Sequence, residues 1–167
     1  KSEINIIQEA KKREIQVVKV AEGSQWKNGK SLFYVLSPEK NYQGERNSGS
    51  IAIIANIGGL NWFFGGDLDQ EGEEKIIEKY PNLHIDVLKA GHHGSKTSTS
   101  EKFINKIKPS IALISVGERN RYGHPHNEVL EQLSNTTIYR TDNQGAITYR
   151  FYKDSGTFSA YLHKIKQ

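Results

Sequence analysis

Hydrophobic and polar positions change their period several times along the chain, and each change predicts an element. Ile4, Ile7 and Ala10 recur at three-residue spacing, the stripe of an amphipathic helix over residues 3–13. Ile15 to Val20 reads as a short strand. Trp26-Lys27-Asn28-Gly29-Lys30 leads into Ser31-Leu32-Phe33-Tyr34-Val35-Leu36, which predicts a hairpin on an Asn-Gly turn. The polar stretch from Pro38 to Gly49 is rich in turn formers and predicts a loop. The apolar run Ile51 to Ile57 is turned by Gly58-Gly59 into Leu60 to Phe64, a second hairpin.

After Asp67 the pattern alternates between strand and helix. Residues 69–79 predict a helix that Tyr80-Pro81-Asn82 ends. Ile85 to Ala90 is a strand. Ser98 or Ser100 can cap the next helix, which runs to about Lys108. Ile111 to Val116 is again a strand, followed by a long loop carrying Arg119 to His126. Asn127 or a neighbour starts a helix through Leu133. Ile138 to Arg140, Ala146 to Tyr152 and Phe158 to His163 predict closing β structure. Asn143-Gln144-Gly145 and Asp154-Ser155-Gly156 read as its turns. Strands first, then strand–helix alternation, imply a layered α/β sandwich with a buried sheet and outer helices.

Composition narrows this picture. A length of 167 residues suits one domain, 1–167, and 35% apolar residues suffice for a core. The absence of cysteine excludes disulfides and thiolate metal sites. No run approaches the roughly 18 apolar residues of a membrane helix, so no lipid insertion by this chain is expected. The chain begins at Lys1 and contains no methionine, which reads as a piece excised from a longer protein. The net charge of +4 and pI near 9.1 permit a polyanionic partner. Lys11-Lys12-Arg13 and the Arg119/Arg121 loop are the local basic clusters, each also readable as solvated surface.

The candidate chemistry gathers at strand ends, where α/β proteins place their sites. Gly91-His92-His93-Gly94-Ser95 follows one predicted strand, and Gly65-Gly66-Asp67 follows another. Gly123-His124-Pro125-His126 follows a third after a short loop. A carboxylate at such a place can ligate one cation or bridge two. Asp67 can equally cap the helix that follows it. Imidazole is a metal ligand and a general acid near neutral pH. Adjacent residues leaving a strand point to opposite sides, so one of His92 and His93 should face the site unless the turn re-aims them. Pro125 fixes the backbone between His124 and His126, which are otherwise exposed loop residues beside a helix start. Ser95 is a possible donor to a phosphate or a plain turn hydroxyl. Asn47, in Asn47-Ser48-Gly49-Ser50, could hydrogen-bond in the same cleft or serve only the turn.

Asn47-Ser48-Gly49-Ser50, followed by an apolar hairpin into Gly66-Asp67-Leu68, resembles the metallo-β-lactamase superfamily. Val87 to Ser95, Pro109 to Val116, Arg121-Tyr122-Gly123-His124-Pro125-His126 and Thr141-Asp142 with Gly145-Ala146-Ile147 resemble more narrowly the C-terminal domain of the ComEC competence family, bacterial membrane channels for DNA uptake. The resemblance covers about Ile4 to Tyr149. It implies a metallo-β-lactamase-like αββα four-layer sandwich whose N-terminal part is missing here. It implies one or two divalent metal ions, Zn²⁺ or Mn²⁺, in the complete domain. Asp67 would be the bridging ligand and His124 the late ligand, with His92 or His93 as ligand or acid at a phosphodiester. Asn47, Ser95 and Arg121 would bind substrate, and Arg119, Arg121 and Lys96 would form a basic rim for a single-stranded DNA backbone.

Two departures from that family pattern shape the expectation. The principal ligand motif, His-x-His-x-Asp-His, is absent, and Asn47 stands where many members place a metal-binding histidine. Little metal affinity and no robust activity are expected of this chain alone. Three functions remain open. The chain is part of a nuclease domain that degrades the non-transported strand, a degenerate DNA-guiding module of the same channel, or a small-molecule hydrolase of the same fold. The resemblance also implies attachment to the channel's membrane domain, on the outer side of the cytoplasmic membrane.

Overall fold

A computed structural model describes residues 2–161. Helix α1 (Ser2–Lys12) is followed by β1 (Gln25–Asn28), β2 (Ser31–Ser37), β3 (Ala52–Ile57) and β4 (Leu60–Phe64). These four strands form an antiparallel meander. Helix α2 (Gln70–Lys79), β5 (Val87–Lys89), α3 (Glu101–Ile107), β6 (Ile111–Ile114), α4 (Asn127–Gln132) and β7 (Thr137–Arg140) then alternate. Strands β4 to β7 are parallel, so one seven-stranded sheet runs in chain order from β1 to β7. A single helical turn, α5 (Thr141–Gln144), precedes the hairpin β8 (Ala146–Tyr152) and β9 (Ser155–Tyr161).

The two faces of the large sheet bury different partners. Leu36, Ala52, Phe63, Leu88, Ala112 and Ile114 point to the helical side. There they pack with Ile76 and Ile77 of α2, Phe103 and Ile107 of α3, and Val129 of α4. Ala55, Trp62 and Val87 point the other way, beneath Tyr149 of β8 and Phe158 of β9. Trp62 lies 5.3 Å from the Tyr149 ring and 5.5 Å from Phe158, and the Tyr149 hydroxyl donates to Gly58 O (3.0 Å). Alternation within each strand thus feeds both faces, as a sheet covered on two sides requires. The described residues therefore supply a helical layer, a sheet and a second, two-stranded β layer, a mixed α/β architecture.

Local chemistry explains most element ends. Gly58 and Gly59, at φ +59° and +81°, make the two-residue turn joining Ile57 to Leu60. Ser100, the second of the two candidate caps, accepts from Phe103 N and starts α3. Several boundaries differ from the sequence reading. The first hairpin turns at Gly29-Lys30, because Asn28 pairs with Ser31. The last turns at Lys153-Asp154, because Tyr152 pairs with Ser155, so β9 starts at Ser155 rather than Phe158. The turn expected at Asn143-Gln144-Gly145 is the end of α5. Residues 162 and 163, expected to finish that strand, lie outside the described residues. Ile15 to Val20 is not a strand: Ile15, Val17 and Val18 are exposed, and among the described residues no neighbour forms a ladder with them. β-propensity without a partner strand or a covering face does not make a strand.

Candidate functional site

The carboxyl ends of β4, β5 and β6 lie side by side, and the segments that follow them carry Asp67, the His92–His93 turn and His124. Gly66, at φ +59°, turns the chain sharply after β4 and leaves Asp67 exposed. The capping role open to Asp67 falls instead to Asp69, whose carboxylate accepts from Gly72 N (3.0 Å) and from the Ser48 hydroxyl (2.7 Å). Asp67 is thereby left without helix-cap duty, close enough to Lys89 of β5 to favour its charged form.

After β5, residues Gly91–Gly94 form a tight 3₁₀ turn with both histidines in the left-handed region, His92 at φ +44° and His93 at φ +59°. Such backbone costs on the order of 1–3 kcal/mol per residue and persists only where the surroundings impose it. Here they do. His92 N donates to Gly66 O (3.0 Å), Gly91 N to the Thr99 hydroxyl (3.2 Å), and the Ser98 hydroxyl to Leu68 O (2.6 Å). Gln70 binds Thr97 O through its backbone and Lys96 O through its side chain. Glu73, 3% exposed, accepts from Thr99 N (2.5 Å) and Ser100 N (2.8 Å). Burial pushes the Glu73 carboxyl up, against the pull of those two amides.

The strained turn re-aims the two rings. His93, exposed, uses Nδ1 to donate to Ser115 O (2.6 Å). A carbonyl can only accept, so Nδ1 carries the proton and Nε2 of the neutral ring is left as acceptor or ligand. His92 faces His124, their rings 5.8 Å apart and near perpendicular. Its Nδ1 is buried without a hydrogen-bond partner, an orphan that calls for an explanation.

The loop after β6 closes the cluster. Asn120 brackets the His124 peptide: its amide donates to His124 O (2.6 Å) and its oxygen accepts from His124 N (2.8 Å). Burial, followed by the neighbouring His126, His92 and His93, pushes the His124 imidazole below its ordinary value. His126 lies 4.8 Å from His124, and its Nδ1 accepts from Lys96 N (3.1 Å). Its backbone N donates to Gly94 O (3.0 Å), and Pro125 packs against Gly94, so the two histidine loops are locked together. Tyr122, 64% exposed, stacks on His124 at 5.8 Å, with the Arg121 guanidinium 5.1 Å from its own ring centre.

Of the residues singled out from sequence, Asp67, His92, His93 and His124 come to neighbouring strand ends, with Arg121 at the rim. Ser95 is buried and spends its hydroxyl on Thr97 (3.0 Å), the turn alternative. Asn47 accepts from Ser50 N through its carbonyl, in a loop that packs beside Gly66. Glu73, Asn120 and Lys89 were not anticipated. Glu73 acts on backbone amides 26 and 27 residues away, which no local pattern reveals, whereas Asn120 acts on His124 only four residues on, inside a loop whose turn the polar run does not specify. Lys89 had a signal: a charge inside an apolar strand. Among the described residues, no three His, Asp or Glu side chains converge to hold a metal ion. A separate groove of about 300 Å³ lies between α2 and the loop after β2, where Lys79 already pairs with Glu22 and Glu39.

The fold and these strand ends define an α/β module that gathers four histidines beside an aspartate. By sequence, the chain is homologous to one region of bacterial competence and recombination proteins. It is 41% identical to ComE operon protein 3 of Bacillus subtilis (strain 168) over 158 residues, 93% of this chain and 20% of that protein. It is 37% identical to competence protein ComA of Neisseria gonorrhoeae over 120 residues, 70% of this chain and 17% of that protein. Recombination protein 2 of Haemophilus influenzae is 34% identical over 124 residues, 73% of this chain and 16% of that protein. The chain thus spans at most about a fifth of the length of these relatives. No family model matches it. Among the described residues no helix is long and apolar enough to cross a membrane.

Proposed function

We propose that this chain is part of a hydrolase domain of a competence DNA-uptake channel, of metallo-β-lactamase-like architecture, that engages a single-stranded DNA backbone. The observation that carries the reading is the buried, partnerless Nδ1 of His92, held by a strained turn opposite His124 and beside the Asp67 strand end. Strain and an unsatisfied polar atom at one residue are features that functional sites retain and structural turns shed. The competence relatives supply the DNA context.

In this reading Asp67 and His92 present a carboxylate and a ring nitrogen to whatever the cleft holds. His124, kept neutral by burial and by its histidine neighbours, can accept a proton or a ligand. His93, with Nδ1 fixed on Ser115 O, has Nε2 available to accept a proton at the exposed rim. Arg121 and Lys96 supply positive charge for phosphates, and exposed Tyr122 supplies a face on which a base can stack. Among the described residues, no three His, Asp or Glu donors close a metal site. A bound divalent ion would contribute activation of water and neutralisation of phosphate charge.

Asn47, standing where many members of the resembled superfamily place a metal-binding histidine, favours a second reading, a DNA-guiding module without cleavage. Cleavage of a labelled single strand by the complete parent protein with Mn²⁺ or Zn²⁺ separates the two. Loss of cleavage in Asp67→Ala and His92→Ala supports the hydrolase; rates equal to the unsubstituted protein overturn the roles given to these residues. Single-strand binding without cleavage by the unsubstituted protein supports the guiding module.

A further inference from the structure

The parallel strands set Trp62, Val87 and Ile111 in one cross-strand row on the face that β8 and β9 cover. Two residues further along, the next row on that face is Phe64, Lys89 and Leu113. Phe64 and Leu113 pack into the apolar cluster, so Lys89 is a charge between two apolar neighbours. Lys89 ends β5, two residues before the tight turn that starts at Gly91 and runs through His92. There Nζ donates to Ala90 O (3.0 Å), which uses one of three donors. Asp67 acts on the ammonium electrostatically, yet among the described residues no carboxylate closes an ion pair with it. A cation so placed is short of both hydrogen bonds and countercharge.

We infer that Lys89 is an anion-binding residue of the strand-end cleft, donating to a phosphate oxygen of a DNA single strand laid across Asp67, His92 and His124. The inference rests on the DNA reading above. An ammonium is a compact point charge whose donors rotate, so it can follow a phosphodiester without a fixed fork geometry. Arg121 and Lys96 are exposed and would grip a backbone from outside, whereas Lys89 is half-buried at the end of β5, the strand that leads into the His92 turn. Burial holds the Lys89 ammonium below its ordinary value, consistent with a group lacking its countercharge.

The test is fluorescence anisotropy of a labelled single-stranded oligothymidylate on the 167-residue chain across a salt series. Lys89→Met keeps the length of the stem and suits the apolar row. Lys89→Gln is a second neutral variant should methionine repack the row, and circular dichroism melting verifies that each is folded. Either neutral variant should bind about tenfold more weakly at low salt. The slope of log affinity against log salt should shrink by about 0.7, the loss of one single-strand phosphate contact. Lys89→Arg should keep the slope. Unchanged affinity and slope in the folded neutral variants overturn the role of Lys89 and leave the DNA reading standing. Absence of any single-strand binding by the unsubstituted chain overturns both.

Discussion

His92 and His93 occupy backbone that a β-carbon disfavours, and they do so consecutively. His93 has a structural return, its bond to Ser115 O. His92 has none: its ring nitrogen is buried and unpartnered, and its backbone is left-handed. Replacing it by glycine removes both liabilities while the clamp on Gly66 O survives, because that bond uses the backbone N. His92→Gly should therefore stabilise the chain by about 1–2 kcal/mol in urea denaturation. No gain, or a loss, would mean that the turn is not strained. A residue that weakens its own protein is kept for what it does, which is the trade seen at functional positions.

At the scale of elements, the junction of β7 and α5 shows how the sheet end is finished. The Thr141 hydroxyl bonds Val116 N (2.7 Å) and Val116 O (2.7 Å), tying β7 to the loop that leads to His124. Beside it, Arg140 holds Asp142 through two bonds of 3.1 and 2.6 Å, and the guanidinium keeps the Asp142 carboxyl below its ordinary value of 3.8. The depressed carboxyl belongs to the folded state. Its contribution is therefore complete above about pH 3.8 and is lost as pH falls through the folded value. Asp142→Asn should cost about 1–2 kcal/mol at pH 7 and progressively less below pH 3.8, measured by denaturation at each pH. A cost that does not vary with pH would point to lost packing rather than lost charge. Elements of this kind were partly legible in the sequence. Gly58-Gly59, Ser100 and the period of α2 announce a turn, a cap and a helix because each acts on its own neighbours. Ile15 to Val20 failed as a strand because pairing is not local. Asp69 rather than Asp67 caps α2, a displacement of two residues that decides which carboxylate is left at the strand end. Which histidine faces His124 depended on two left-handed residues that no side-chain alternation predicts.

For the molecule as a whole, the covered sheet and the neighbouring strand ends make a scaffold on which, among the described residues, no three His, Asp or Glu side chains converge to hold a metal ion. The mixed α/β class and the placement of Asp67 and the His92–His93 turn just after strands were readable from the apolar runs. The two-faced burial was readable only as an expectation, since it depends on β8 and β9 returning over Trp62 and Val87. Calorimetric titration of the chain with Zn²⁺ or Mn²⁺ should give no tight stoichiometric binding; a tight single-site isotherm would show that the present donors suffice. One contact set described above reaches further. The residues from Gly66 to Glu73 hold the whole stretch from Gly91 to Ser100 through backbone and side-chain bonds, on both sides of α2's first turn. The aspartate wall and the histidine wall are therefore a single cooperative opening unit. Unwinding the start of α2 releases Glu73 from Thr99 and Ser100 and, with it, the imposed conformation of His92.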